Sequence, residues 1–225
     1  MLDRPVYSYA EADRLLRLSP GTARRWVDGY RRQGVDYLPV VRERSSGSPW
    51  LTWGEFVEAR LLSEFRQGIP MLKLRPVVEW LRQHTQTRYP LSYSRPFLLQ
   101  DGRDLLLRAQ NAAGLDESAL WMVFPVAGQG ALMTATSRRF TEAIHSDERT
   151  GGPVFAISAD PATPDVLLAP GRRQGQPSVG NVPTAAVAEL VAAGEPIDFV
   201  ADSYEIDDEM VRQAVTYEAT RRRAA

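Results

Sequence analysis

Tyr9–Arg31 reads YAEADRLLRLSPGTARRWVDGYR, and its spacing predicts two short helices joined by a tight turn. Ser8 precedes the first helix and Glu11 lies three residues on, the arrangement of a capping box that satisfies two free N–H groups. Ala12, Leu15 and Leu16 recur at helical spacing and give one apolar face. Ser19 is placed to cap the second helix, with Pro20 at its first position, where a missing N–H costs nothing. In that helix Ala23 and Val27 are four apart and pack inward. Thr22, Arg25 and Arg24 then point elsewhere, beside Trp26 and Tyr30. Paired arginines beside flat rings suit nucleic acid, because a helix fits the major groove and a guanidinium bonds guanine twice or grips phosphate.

The run Ser19-Pro20-Gly21-Thr22-Ala23-Arg24-Arg25-Trp26 resembles the N-terminal domain of the MerR-type regulators, with their serine, turn and threonine–x–arginine–x–aromatic pattern. That resemblance covers about the first third of the chain and implies that a β-hairpin wing follows. Tyr37–Arg44 is rich in β-branched and aromatic residues, Ser45–Pro49 is a turn cluster, and Trp50 and Leu51 restart a strand. Arg42 and Arg44 would alternate onto one side of such a strand and approach a phosphate backbone. Thr52 with Glu55 forms a second capping box opening a helix with Phe56, Val57, Leu61, Leu62 and Phe65. A further helix is expected between Met71 and Thr85 on a Val77, Val78, Leu81 seam, with Pro76 in its first turn or kinking it.

Composition bounds the alternatives. The 225 residues, 44% of them hydrophobic, suffice for two modest domains with their own cores. No apolar run has membrane-spanning length and no signal peptide is evident, so a soluble cytoplasmic protein without membrane contact is the expectation. The absence of cysteine excludes disulfides and thiolate metal sites, and His84 and His145 stand far apart, so neither a metal nor a cofactor is expected. The net charge of −1 hides a split: residues 1–108 hold 18 Lys+Arg against 12 Asp+Glu, and residues 109–225 hold 9 against 16. A basic front and an acidic back suggest separate partners. Lys73 is the one lysine; arginine's planar fork suits phosphate and base edges, although a GC-rich genome also enriches it.

Beyond Tyr89-Pro90 the pattern changes. Phe97–Leu99 and Leu105–Leu107 flank Asp101-Gly102, a strong hairpin dipeptide. Short apolar runs follow at Trp121–Val126, Phe155–Ile157 and Val166–Leu168, with Phe140–Ile144 a further candidate strand. Gly128-Gln129-Gly130 lacks the lysine and the strand–helix context of a phosphate loop and reads as a plain loop. Three helices are expected at the end. The first starts at Thr184 or Pro183 and stops at Gly194; the second runs from Pro196 to Ser203; the third is capped by Asp207. The reading is therefore α+β: a winged helix-turn-helix over 1–90, a small β-rich connection over 91–160, and a three-helix, helix-turn-helix-like unit over 161–225.

This last region resembles the small domain of unknown function found in antitoxins of VapB-like toxin–antitoxin pairs. The matching positions are Val166, Pro170, Gly175, Pro177, Gly180, Val182, Pro183, Gly194, Ile197, Val200, Ala201, Tyr204, Ile206, Val211, Ala214, Tyr217 and Glu218. The chain departs where that family has threonine and arginine before the valine-proline, since Asn181 alone stands there. Joined to a MerR-like front, the unit resembles a longer antitoxin subfamily, which implies binding to operator DNA and to a PIN-like ribonuclease toxin. Nine acidic residues and one arginine between Asn181 and Glu218 argue against a second DNA contact and for a protein-binding or dimerisation role.

Against the carboxylate cluster of such a toxin, Arg221, Arg222 and Arg223 are candidate contacts, as cations able to form charge-assisted ion pairs. The simpler reading is a basic end complementing the last helix's dipole. Candidate DNA contacts are Thr22, Arg24, Arg25, Trp26, Tyr30, Arg42 and Arg44, on a protein expected to act as a homodimer. No catalytic constellation appears; Asp207-Asp208-Glu209 occupies consecutive helix-start positions that do not converge on one point. The alternative is a stand-alone MerR-like regulator sensing a small molecule through its middle region.

Overall fold

The computed structural model describes residues 1–65, 70–98, 100–115, 122–123, 132–133 and 135–223. It divides into two compact units, residues 1–142 with 146–154, and residues 143–145 with 155–225. Residues 91–142 thus fall in the first.

The first unit begins with β1 (Pro5–Ser8), α1 (Tyr9–Leu15) and α2 (Thr22–Asp28). A hairpin follows, β2 (Tyr30–Arg32) against β3 (Val35–Tyr37), and then β4 (Trp50–Thr52), which pairs antiparallel with β1. The segment expected to form a wing strand, Tyr37–Arg44, does so only at Tyr37; residues 38–49 hold no strand. The hairpin lies earlier because Gln33 and Gly34 adopt φ 51° and 81°. Two successive positive φ values make the tight turn whose twist matches that of paired strands.

α3 (Trp53–Phe65) opens on the expected capping box. The Glu55 N–H donates to Thr52 Oγ1 at 3.3 Å, and the Thr52 N–H donates to Glu55 Oε2 at 2.8 Å. α4 (Met71–Thr85) buries Leu74, Val77, Val78 and Leu81 completely, while Pro76 lies inside the helix on its exposed side. Trp53, Phe56, Leu61 and Leu62 are likewise fully buried. Each such side chain contributes about 1.5–3 kcal/mol by leaving water. The Trp53 indole N–H donates to the Val154 carbonyl at 2.7 Å, so this core also holds the end of the unit's second segment.

The expected hairpin around Asp101-Gly102 is instead helical: α5 (Arg95–Leu98) and α6 (Gln100–Ala112). Leu106, Ala109 and Gln110 are buried at helical spacing, and an alternating strand would have left one of these faces in water. Asp101 sits in the first turn of α6, where a carboxylate favours the helix, and it pairs with Arg95. β5 (Met122–Val123) pairs with β6 (Leu132–Met133); the rest of Trp121–Val126 and all of Gly128-Gln129-Gly130 lie outside the described residues. Phe140 belongs to α7 (Ala135–Ala143), and a strand begins only at Ile144.

That strand, β7 (Ile144–His145), edges a five-stranded antiparallel sheet in the second unit. Its companions are β8 (Ala156–Asp160), β9 (Thr163–Leu168), β10 (Ser178–Val179) and β11 (Val182–Pro183), in the order β11-β10-β9-β8-β7. Three helices complete the unit: α8 (Thr184–Ala192), α9 (Ile197–Tyr204) and α10 (Asp208–Arg223). Val166, Val179, Val182, Val187, Val200, Val211, Ala214 and Tyr217 form its buried core. The Gln213 side chain ties α10 to β9, accepting from the Asp165 N–H at 2.8 Å and donating to its carboxylate at 2.9 Å. Mixed helix and small sheets make the whole chain α+β. Among the described residues no helix is long and apolar enough to cross a membrane.

Candidate nucleic-acid interface

The first pair of helices is locked by one buried acid. The Asp13 carboxylate accepts from the Gly21 N–H at 2.6 Å and from the Ala23 N–H at 2.7 Å, so α1 caps α2. Ser19, the expected cap, makes no side-chain cap bond; Gly21 occupies the cap position at φ 77°, and the Thr22 N–H donates to the Ser19 carbonyl. The first helix keeps half its expected box, with the Glu11 N–H donating to Ser8 Oγ at 3.3 Å. Ala12, Ala23 and Val27 are buried completely between the helices. At the far end, the Trp26 carbonyl accepts from both Val40 and Val41 N–H groups, which fixes the segment returning from the hairpin.

These constraints decide which candidate side chains reach water. Arg24 and Arg25 are exposed. Arg24 has no partner among the described residues, and Arg25 donates to Thr22 Oγ1 at 2.9 Å. Tyr30 is 41% exposed and stacks on Tyr37 at 4.6 Å, so the hairpin displays one face of a ring pair. Thr22, Arg25, Trp26 and Tyr30 line one depression of about 360 Å³, closed from α4 by Leu72 and Arg75. Trp26 itself is 7% exposed and Thr22 6%; both build the floor and offer little surface. Arg44 is exposed and stands beside a different depression, of about 610 Å³, with Arg82 and Arg88.

Arg42 is the clear correction. The sequence set it beside Arg44 on an exposed strand, but no strand forms there and Arg42 is 6% exposed. Its guanidinium forks onto Glu55 at 2.7 and 3.0 Å, reaches Asp28 at 2.8 Å, and donates to the Trp50 carbonyl at 2.8 Å. Burial alone would lower its pKa; the bond and charge of Glu55, with the charges of Tyr9 and Asp28, together outweigh that and hold it above its usual value. The Tyr9 hydroxyl, donating to Asp28 at 2.5 Å, is pushed up to about 12 by burial and by that carboxylate. Arg42 therefore pins α2, through Asp28, to α3, through Glu55, and is removed from the DNA-contact set.

Two cations that sequence reading missed are Arg31 and Arg32, exposed on the hairpin. Arg31 stands 3.5 Å from Asp36 with both side chains 71% exposed, a pair that salt readily screens. The signal lay in Gln33-Gly34, a weaker hairpin dipeptide than Asn-Gly. In the second unit Arg221, Arg222 and Arg223 close α10 and are exposed, with Arg221 3.4 Å from Glu218. Among the described residues no three His, Asp or Glu side chains gather as a metal ion would require.

No family model matches the chain. It is 36% identical over 221 residues to "Uncharacterized protein Rv2308" of Mycobacterium tuberculosis, covering 96% of this chain and 91% of that protein. The chain belongs to the same family as Rv2308. It is also 26% identical over 228 residues to "Putative antitoxin VapB45" of the same organism, covering 95% of this chain and 93% of that one. The crystal structure of Rv2018 from Mycobacterium tuberculosis superposes with a TM-score of 0.70 at 26% identity, over 95% of this chain and 99% of the other.

Proposed function

We propose that this chain is a VapB-like antitoxin: a non-catalytic regulator that binds its own operator as a homodimer and neutralises a PIN-like ribonuclease toxin. The observation that carries the reading is the end-to-end likeness to VapB45, over 95% of this chain and 93% of the relative. That likeness spans both units of the chain.

For operator binding the first unit acts as a winged helix-turn-helix. α2 enters the major groove with Arg24 and Arg25 forward, and the hairpin arginines and Arg44 follow the phosphates. Dimerisation supplies the second half-site, since one such unit spans too few base pairs for useful specificity. Toxin neutralisation falls to the second unit, whose helices carry the negative charge that DNA would repel, with Arg221–Arg223 offered to the toxin's acidic centre.

This reading predicts a small nuclease in an adjacent reading frame, and the test is co-expression with that frame's product together with binding to the promoter upstream of this chain. Rescue of growth and a footprint on that promoter are expected. Arg24→Ala or Arg25→Ala should weaken specific binding by about 1–3 kcal/mol where the arginine reads a base. Full specific binding by both variants removes α2 from the operator; a nuclease that kills despite the chain ends the antitoxin reading.

A further inference from the structure

The outward face of α9 combines an unburied aromatic with uncompensated negative charge. Phe199 is 54% exposed although the helix buries Val200 and Ala201 one and two residues on. Asp198 and Asp202, four apart on the helix, are both exposed beside it, and Glu195 is exposed in the turn before. None of these three acids has a cation within ion-pair distance among the described residues. Arg212, the lone arginine between Asn181 and Glu218, is occupied by Asp208 and Glu209 at 3.3 and 3.6 Å. The Asp198 carboxylate accepts from the Phe199 N–H at 2.8 Å, which keeps that acid beside the ring.

An exposed aromatic ringed by like charges has the form of an interface anchor. The ring supplies buried area at small entropic cost, and the rim selects and steers the partner. A partner that fits must carry a recess for the ring and a cationic border. A ribonuclease has such a border by necessity, because it holds the phosphates of a single strand with positive groups. We propose that the Phe199 face of α9 docks on the cationic RNA-holding surface of the nuclease partner, so that the antitoxin excludes RNA by occupying its place. This rests on the antitoxin reading and names the part of the chain that carries it out.

The experiment uses the full chain and the nuclease that the antitoxin reading predicts in an adjacent reading frame, with affinity measured by calorimetry at low and high salt. Three chains are compared: the natural one, Phe199→Ala, and Asp198→Asn with Asp202→Asn. All changes are at exposed positions, and an unaltered thermal melt certifies each fold. Phe199→Ala should weaken the complex at least tenfold at either salt. The double variant should lose most of the salt dependence and associate more slowly, and a non-cleavable RNA should compete with the natural chain for the nuclease. Variants that bind as tightly as the natural chain, with the same salt dependence, overturn the α9 assignment while leaving the antitoxin reading intact. A natural chain that binds no nuclease overturns both.

Discussion

Arg42 and Arg24 are chemically identical and do opposite work. Arg24 is exposed without a partner among the described residues, whereas Arg42 satisfies a buried acid, Glu55, and a partly buried one, Asp28. Arg42→Ala leaves Glu55, itself fully buried, without its guanidinium, and should destabilise the first unit by about 3–5 kcal/mol in urea unfolding. Arg24→Ala should leave the unfolding midpoint unchanged. If Arg42→Ala unfolds like the natural chain, the buried network is not what joins α2 to α3. Both arginines stand in a basic stretch, and sequence gave no means of separating them. The partners of Arg42 are 14 and 13 residues away along the chain, beyond any local window. The same distance problem hid Asp13, whose carboxylate caps a helix eight and ten residues downstream while Ser19-Pro20 offered a nearer and conventional answer.

Elements were legible where periodicity was long. α3 and α4 show their apolar seams at helical spacing, and the same holds for α8 to α10, where buried Val200 and Val211 are also positions of the VapB-like pattern. They were illegible where one dipeptide outweighed a weak pattern. Asp101-Gly102 is a favoured turn, yet it starts α6, because helix burial of Leu106, Ala109 and Gln110 outweighs the preference of two residues. The β2–β3 hairpin shows the converse, a real turn with an unremarkable sequence. Its two glycines carry distinct constraints. Gly34, at φ 81°, has open space where a Cβ would go, so Gly34→Ala should cost roughly 1–2 kcal/mol of backbone strain. Gly29 sits at φ 75° and ψ −174°, and a Cβ there would lie 2.4 Å from the Tyr37 carbonyl oxygen. Gly29→Ala should therefore destabilise by more than about 2 kcal/mol and loosen the hairpin. Equal denaturation midpoints for the two variants would show that the close approach is relieved without cost.

For the molecule as a whole, the clearest lever is pH. Glu58 is fully buried in α3; its Oε1 accepts the Leu91 N–H at 3.0 Å and its Oε2 has no hydrogen-bond partner. Burial pushes the carboxyl from 4.5 up to about 8, against the pull of Arg82, whose nearest nitrogen is 4.0 Å away, and of the Leu91 N–H. Over that interval the folded chain keeps a proton that the unfolded chain releases. The stability this group contributes is complete below pH 4.5 and is lost as pH rises through about 8. The slope is on the order of 1 kcal/mol per pH unit. Glu58→Gln should flatten the fall in urea midpoint between about pH 5 and pH 8. An unchanged slope in that variant would assign the titration to another group. Division into a basic front and an acidic back was readable from charge alone, but the five-stranded sheet was not. β7, β10 and β11 have two residues each, too short for any alternation to register.

The cap that Asp13 places on α2 also limits how that helix can meet an anion. The free amides at a helix tip are a common seat for phosphate, but here the Gly21, Thr22 and Ala23 N–H groups already have acceptors inside the protein. With those three amides closed, the proposed contact of α2 with DNA rests chiefly on its exposed side chains, Arg24 and Arg25. In the proposed complex, overall grip could then be adjusted at the exposed hairpin arginines, Arg31 and Arg32, without touching what α2 discriminates.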